Sequence, residues 1–112
     1  MRNNAQKSAL RIAMAILNGD LEMIEGCRKL TRQLSDAGLR SDPDALVIIA
    51  VESETDHFPI GAERDNWDPS ALALKDAELK AYIDGARPFV SAACHALASK
   101  LMSSDANDGP PN

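Results

Sequence analysis

The residues of this chain best suited to chemistry stand together in Ser53-Glu54-Thr55-Asp56-His57. Adjacent carboxylates and an imidazole can serve two ends. They can ligate zinc or a harder cation. Alternatively, His57 can act as a general base, oriented by Asp56, Glu54 or Asp76. Both readings meet obstacles. Glu52, Glu54, Asp56 and His57 do not close a metal shell alone, and a full site needs Glu25, Asp65 or Asp76 as well. No nucleophile pairs clearly with His57, and no glycine-rich phosphate loop, HExxH or GxSxG occurs. The sequence therefore assigns no catalytic residue, no metal and no cofactor. A metal- or small-molecule-binding protein, or an enzyme, using the Glu54/Asp56/His57 loop is the second-ranked reading. It requires a cleft between the second and fourth helices, floored by Glu25, Asp56, His57 and Lys75.

The same stretch breaks local rules, which sequences do mostly at functional or strained places. Glu52, Glu54 and Asp56 crowd the end of a predicted helix without a Lys or Arg among them, although the negative end of a helix dipole favours cations. Lys75 and Asp76 occupy positions where the apolar stripe of the next helix calls for a hydrophobic residue. Charges that face inward are paired, and Lys75, Arg64 and Arg28 are the candidate partners for the acids. The plainest outcome is a buried polar clasp of Asp56, His57, Arg64, Lys75 and Asp76. It would pin a loop running roughly from Thr55 to Trp67 onto helices two and four. Asp56→Ala should then cost about 2–4 kcal/mol, well above Glu63→Ala. Gly26 inside a helix implies close approach of a large side chain, with Trp67 the obvious one. The candidate binding set is Glu25, Arg28, Glu54, Asp56, His57, Arg64, Trp67, Lys75 and Asp76.

These residues are positioned by helices. The chain has 18 alanines, and alanine is the best helix former. Helix one is predicted over Ala5–Asn18, closed by Asn18-Gly19. Asp20 is the predicted cap of helix two, whose stripe is Leu21, Ile24, Cys27, Leu30 and Leu34. Gly38 suits a left-handed end, with Leu39 following. Ser41-Asp42-Pro43-Asp44 opens helix three, and Ala45–Val51 is apolar throughout. A strand there would have no partner, so helix three is read as the most buried element. After Asp68-Pro69, a stripe runs Leu72, Leu79, Ile83, Ala86, Val90, Ala93, Leu97, Leu101. Its phase survives Gly85 and Pro88, so either one long helix kinks near Pro88 or two helices meet there in line. Phe58, Tyr82 and Phe89 are read as core, and His95 as a surface residue. The expected fold is all-α: a compact four- or five-helix bundle with a long, kinked C-terminal helix, a single domain over residues 1–102 and a disordered tail over 103–112.

Length and composition agree with one domain: 112 residues, 45% apolar and 26% charged. No apolar run approaches the roughly 20 residues of a membrane span, and no signal-peptide core is evident, so a cytoplasmic protein is expected. The net charge is −5, unevenly spread. Residues 1–40 carry seven basic and four acidic side chains, whereas residues 41–68 carry eight acids against Arg64 alone. Such a segment repels phosphate, which argues against nucleic acid and anionic membranes. Cys27 and Cys94 lack metal or redox spacing and read as buried free thiols.

The pieces Ile16-Leu17-Asn18-Gly19, Ile24-Glu25-Gly26-Cys27-Arg28-Lys29-Leu30, Ser53–Gly61 with Arg64 and Trp67, and Ala71-Leu72 with Lys75-Asp76 and Glu78 share one pattern. It resembles a small uncharacterised bacterial helical domain family with an IEGxRxL…SETDHxPxGxxRxxW…ALxxKDxE signature. The resemblance covers roughly residues 10–80 and implies a site location without an activity. The leading functional expectation is a non-catalytic helical domain that binds another protein, one with a basic surface, through the acidic loop side at residues 52–68. A homodimer remains open. An exposed acidic patch at Glu52, Glu54, Glu63 and Asp65 beside apolar surface would favour this reading, and inward pairing of those acids would remove its motive.

Overall fold

The structure, a computed structural model, describes residues 3–107. It contains helices α1 (Asn4–Asn18), α2 (Met23–Asp36), α3 (Pro43–Glu54) and α4 (Pro69–Asn107), with a 3-10 helix at Gly61–Asn66 in the last connection. The fold is an all-α bundle. α4 passes Gly85 and Pro88 as one element of 39 residues, so the chain is not divided into two helices there. Its length draws the molecule out to 63 Å against 24 Å across. α4 also runs through residues 103–107, the first positions of the expected tail. The rest of that tail, residues 108–112, lies outside the described residues. Among the described residues, no helix is long and apolar enough to cross a membrane.

Local chemistry accounts for the helix ends. Asn3 accepts a hydrogen bond from the Gln6 amide, and the Gln6 side chain accepts one from the Asn3 amide, both at 2.8 Å. This reciprocal box satisfies two of the free donors at the start of α1. At its other end Gly19 turns left-handed at φ 77°, and the Asp20 amide donates to Ala15 O at 2.9 Å. Asp20 is therefore part of the termination of α1 and does not cap α2, contrary to the sequence expectation. The cap is Glu22, whose carboxylate accepts from the Ile24 and Glu25 amides at 3.1 and 3.0 Å. α2 ends as expected: Gly38 sits at φ 76°, and the Leu39 amide donates to Leu34 O at 2.9 Å. Asp42 caps α3 through the Asp44 and Ala45 amides.

Each helix packs against the next in sequence, and α1 also packs on α4, which closes a ring of four. α3 runs antiparallel to α4, because Lys100 meets its first turn and Tyr82 its last. α2 contributes Met23, Ile24, Cys27, Leu30 and Leu34 to the core, the last four wholly buried. α3 contributes Ala45, Ile48 and Val51, and α4 contributes Val90, Ala93, Cys94, Leu97 and Leu101. The expectation that α3 is the most buried helix is corrected: Leu46 is 51% exposed and Ala50 is exposed. The cause is neighbour number. Like each member of the ring, α3 has two extensive neighbours, here α2 and α4, and because its run Ala45–Val51 is apolar all round, one apolar side stays uncovered. Phe58 is buried as expected and Tyr82 is half-buried, but Phe89 is 68% exposed and not part of the core. His95 is exposed.

Gly26 is a position of close approach, but Trp67 is not the neighbour. A Cβ there would lie 2.5 and 2.8 Å from Cγ1 and Cδ1 of Ile16. The overlap costs about 1–3 kcal/mol, against a gain of about 1 kcal/mol in helix propensity. Gly26→Ala is expected to be neutral to destabilising by about 2 kcal/mol in urea melts. Added to Ile16→Ala, where the clash is absent, the same change should instead stabilise.

The start of α3 carries a second tie. Lys100 Nζ lies 2.7 Å from Asp42 and 2.6 Å from Asp44. Burial pushes the Asp42 carboxyl up, but the hydrogen bonds from Lys100 and from the Ala45 and Asp44 amides outweigh it and hold the group below its ordinary value. A carboxyl depressed in the folded state contributes stability above its unfolded pKa, about 3.9. That contribution is lost as pH falls through the folded value. Acid denaturation of Asp42→Asn should therefore show a shallower loss of stability below about pH 4 than the parent chain.

Candidate functional site

The loop after α3 is held by a guanidinium. Arg28 of α2 donates from Nη2 to Thr55 O at 2.7 Å and to Phe58 O at 3.3 Å. It thus meets the negative end of α3 at its carbonyls. Thr55, fully buried, donates its hydroxyl to Val51 O at 2.6 Å. Phe58 and Pro59 are buried beside it. Further on, Gly61 turns left-handed at φ 66° into the 3-10 helix, which delivers Arg64 to α4. Arg64 and Asp76 form a fork of two parallel hydrogen bonds, both 2.8 Å. That pairing holds the Asp76 carboxyl below and the Arg64 guanidinium above their ordinary values. Both side chains are more than one-third exposed, so water screens the pair and its value lies in orientation more than in energy. Trp67, half-buried, follows directly.

Lys75 and Asp76 thus face the loop, which covers this part of α4 in place of a hydrophobic core. Lys75 Nζ stands 5.6 Å from the Phe58 ring centroid and 3.5 Å from Glu78. It does not pair with Glu54 or Asp56. Glu54 accepts the Tyr82 hydroxyl at 2.5 Å. Burial, with this carboxylate adding to it, pushes the Tyr82 phenol up to about 12, so the hydroxyl stays a donor. Asp56 and His57 are exposed, and the His57 ring tilts against Phe58 with centroids 4.1 Å apart. Among the described residues neither forms an ion pair, and the expected five-residue clasp reduces to Arg64 and Asp76. The reason is that Arg28 already satisfies the end of α3 through backbone carbonyls. Asp56→Ala should therefore change stability by no more than about 0.5 kcal/mol. Glu25 pairs at 3.3 Å with Lys29 one turn along α2 and joins none of the others.

No three His, Cys, Asp or Glu side chains among the described residues converge in a way that could hold a metal ion. A hollow of about 500 Å³ lies between α3 and α4, and none of Glu25, Asp56, His57 and Lys75, the residues expected to floor a cleft between α2 and α4, lines it. One wall is Val47, Ala50, Val51 and Glu54 of α3; the other is Ala81, Tyr82, Gly85, Ala86 and Phe89 of α4. Glu54 is its one charged lining residue, and the Tyr82–Glu54 hydrogen bond joins the two walls at that end. A second, more polar hollow of about 600 Å³ lies between α1 and α4 around Met14, His95, Ser99 and Met102. Cys27 and Cys94 are buried free thiols, pushed up by burial to about 12 and about 11, and so are not poised as nucleophiles.

Comparison with family models, with curated proteins and with solved structures finds no match to the chain.

Of the sequence-derived set, the structure joins Arg28, Arg64, Lys75 and Asp76 to the loop and Glu54 to the hollow. Glu25, Asp56 and His57 stand apart from these contacts. The hollow itself went unread. A usable signal was present, since α4 carries a second apolar row (Ala81, Tyr82, Gly85, Phe89) beside the stripe that forms the core.

Proposed function

We propose that this chain is a non-catalytic helical module that binds a protein with a basic surface through its acidic loop side, residues 52–68. One concentration of charge carries the reading. Six acids, Glu52, Glu54, Asp56, Glu63, Asp65 and Asp68, fall within this segment, and among the described residues none of them forms an ion pair. By contrast, Asp42, Asp44, Asp76, Glu78 and Glu25 each have a lysine or arginine within 3.5 Å. Glu54, Glu63 and Asp65 are exposed. Like charges left together repel and cost stability, while they steer and orient an oppositely charged partner. Glu54 also stands beside apolar surface, because it closes one end of the α3–α4 hollow.

The test is site-specific photo-crosslinking in the native cells. A photoreactive residue at Asp65 should give a discrete adduct that is lost when Glu54 and Glu63 are changed to lysine. The same residue at Ser99, on another part of the surface, should not give it. An adduct that survives the charge reversals, the same adduct from both positions, or none from Asp65, removes the reading.

A further inference from the structure

We propose that the α3–α4 hollow receives a single amphipathic helix of the partner, apolar along the face it inserts and carrying a lysine or arginine at the end next to Glu54. This rests on the protein-binding reading above and gives the partner its chemistry.

Three observations point to a helix. First, α3 is apolar on all sides, as a surrounded helix is, yet its side bearing Leu46 and Ala50 is uncovered. A third neighbour would complete it. Second, the walls repeat with helical spacing. Residues 47, 50/51 and 54 face residues 82, 85/86 and 89, about two turns or 10–12 Å of each helix. A lane between two packed helices is where the side-chain ridges of another settle, and helix-in-groove recognition reads i, i+3/i+4, i+7 anchors. Third, Gly85 sits in the middle of a wall with nothing within 4 Å of where a Cβ would be. No contact inside this chain calls for glycine there, although glycine weakens a helix. Its bare backbone instead leaves room for an occupant.

Charge fixes the orientation. Glu54 is the charged lining residue, and it accepts a hydrogen bond from the neutral Tyr82 hydroxyl. Glu78, one turn before Tyr82 on α4, is already paired with Lys75 at 3.5 Å, so Glu54 is the charge left for an occupant. The opposite end, around Val47 and Phe89, is apolar. A cation on the occupant is therefore favoured at one end only, and an acid there is repelled.

The experiment uses the full chain and a small library of labelled helical peptides, each about 18 residues long. Every peptide has leucine, methionine or phenylalanine at i, i+4 and i+7, and either lysine or glutamate beside the first or last anchor. Controls scatter the same apolar residues around the helix. Fluorescence anisotropy should show saturable binding of lysine peptides, about fivefold tighter than their glutamate counterparts. Glu54→Gln should shrink that preference, and Phe89→Ala should weaken both about tenfold. Because Phe89 is exposed, circular dichroism of that variant should match the parent. Gly85→Met, which fills the lane, should weaken binding likewise.

Four results would overturn the proposal: no saturable binding across the library, equal binding of the scattered controls, indifference to Phe89→Ala, or no preference between lysine and glutamate. Sedimentation showing a dimer of the chain that Phe89→Ala abolishes would assign the lane to a second copy, and would overturn it too. If peptides fail while the Asp65 crosslink stands, only this inference falls. If that crosslink fails while peptides bind, the loop-side reading falls.

Discussion

Arg28→Met should lower unfolding free energy by about 2–3 kcal/mol, measured as a fall in the urea midpoint at unchanged slope. The guanidinium donates to Thr55 O and Phe58 O across 27 and 30 residues of sequence. Hydrogen bonds from a charged donor contribute about 1.5–3 kcal/mol, and a carbonyl left dry costs a similar amount. Methionine keeps most of the stem, so the loss isolates the head group. It also removes the Arg28 Nε–H, which is buried without a partner, and that keeps the expected loss at the lower end. Both bonds leave the one terminal nitrogen Nη2, and a lysine side chain ends one bond short of it, so Arg28→Lys should recover only part of the loss. Trp67, the single tryptophan, follows the pinned segment and offers a fluorescence readout. A loss below about 0.5 kcal/mol would mean that the loop holds itself without α2.

Leu97→Ala should cost more, about 3–5 kcal/mol. Leu97 is wholly buried in the shared core, and the void left there cannot be filled by solvent-facing side chains. Domains of this kind hold about 5–15 kcal/mol in total, so this one change removes a large share. Leu74→Ala on the same helix is the control. Leu74 is 69% exposed, and its loss should fall within about 0.5 kcal/mol. Comparable losses at the two positions would contradict the packing described here.

Much of the fold was readable because it depends on short-range chemistry. The Asn18-Gly19 and Gly38-Leu39 endings, the Asp42-Pro43 start and the stripe through Val90, Ala93, Leu97 and Leu101 are each local patterns, and each stands where it was read. What went unread depends on how many neighbours an element finds. The run Ala45–Val51 states that α3 is apolar, but not that only two helices pack on it. Lys75 and Asp76 read as charges facing inward, but they lie against a loop with its own arginine, not a core, and both side chains keep substantial exposure. Arg28 is a candidate cation for the end of α3 by sequence, but side-chain pairing rules direct it to carboxylates. Its actual acceptors are main-chain carbonyls, which no residue type advertises.

The length of α4 has a consequence for how the molecule breathes. Around Leu97 its amides lie in the shared core, so they should exchange with deuterium only when the whole bundle opens. Toward Pro69 the same helix is steadied by one arginine fork and the loop, and its amides should exchange through cheap local fraying. One uninterrupted helix therefore spans the range from least to most protected, with a gradient whose steep part marks where the bundle ends.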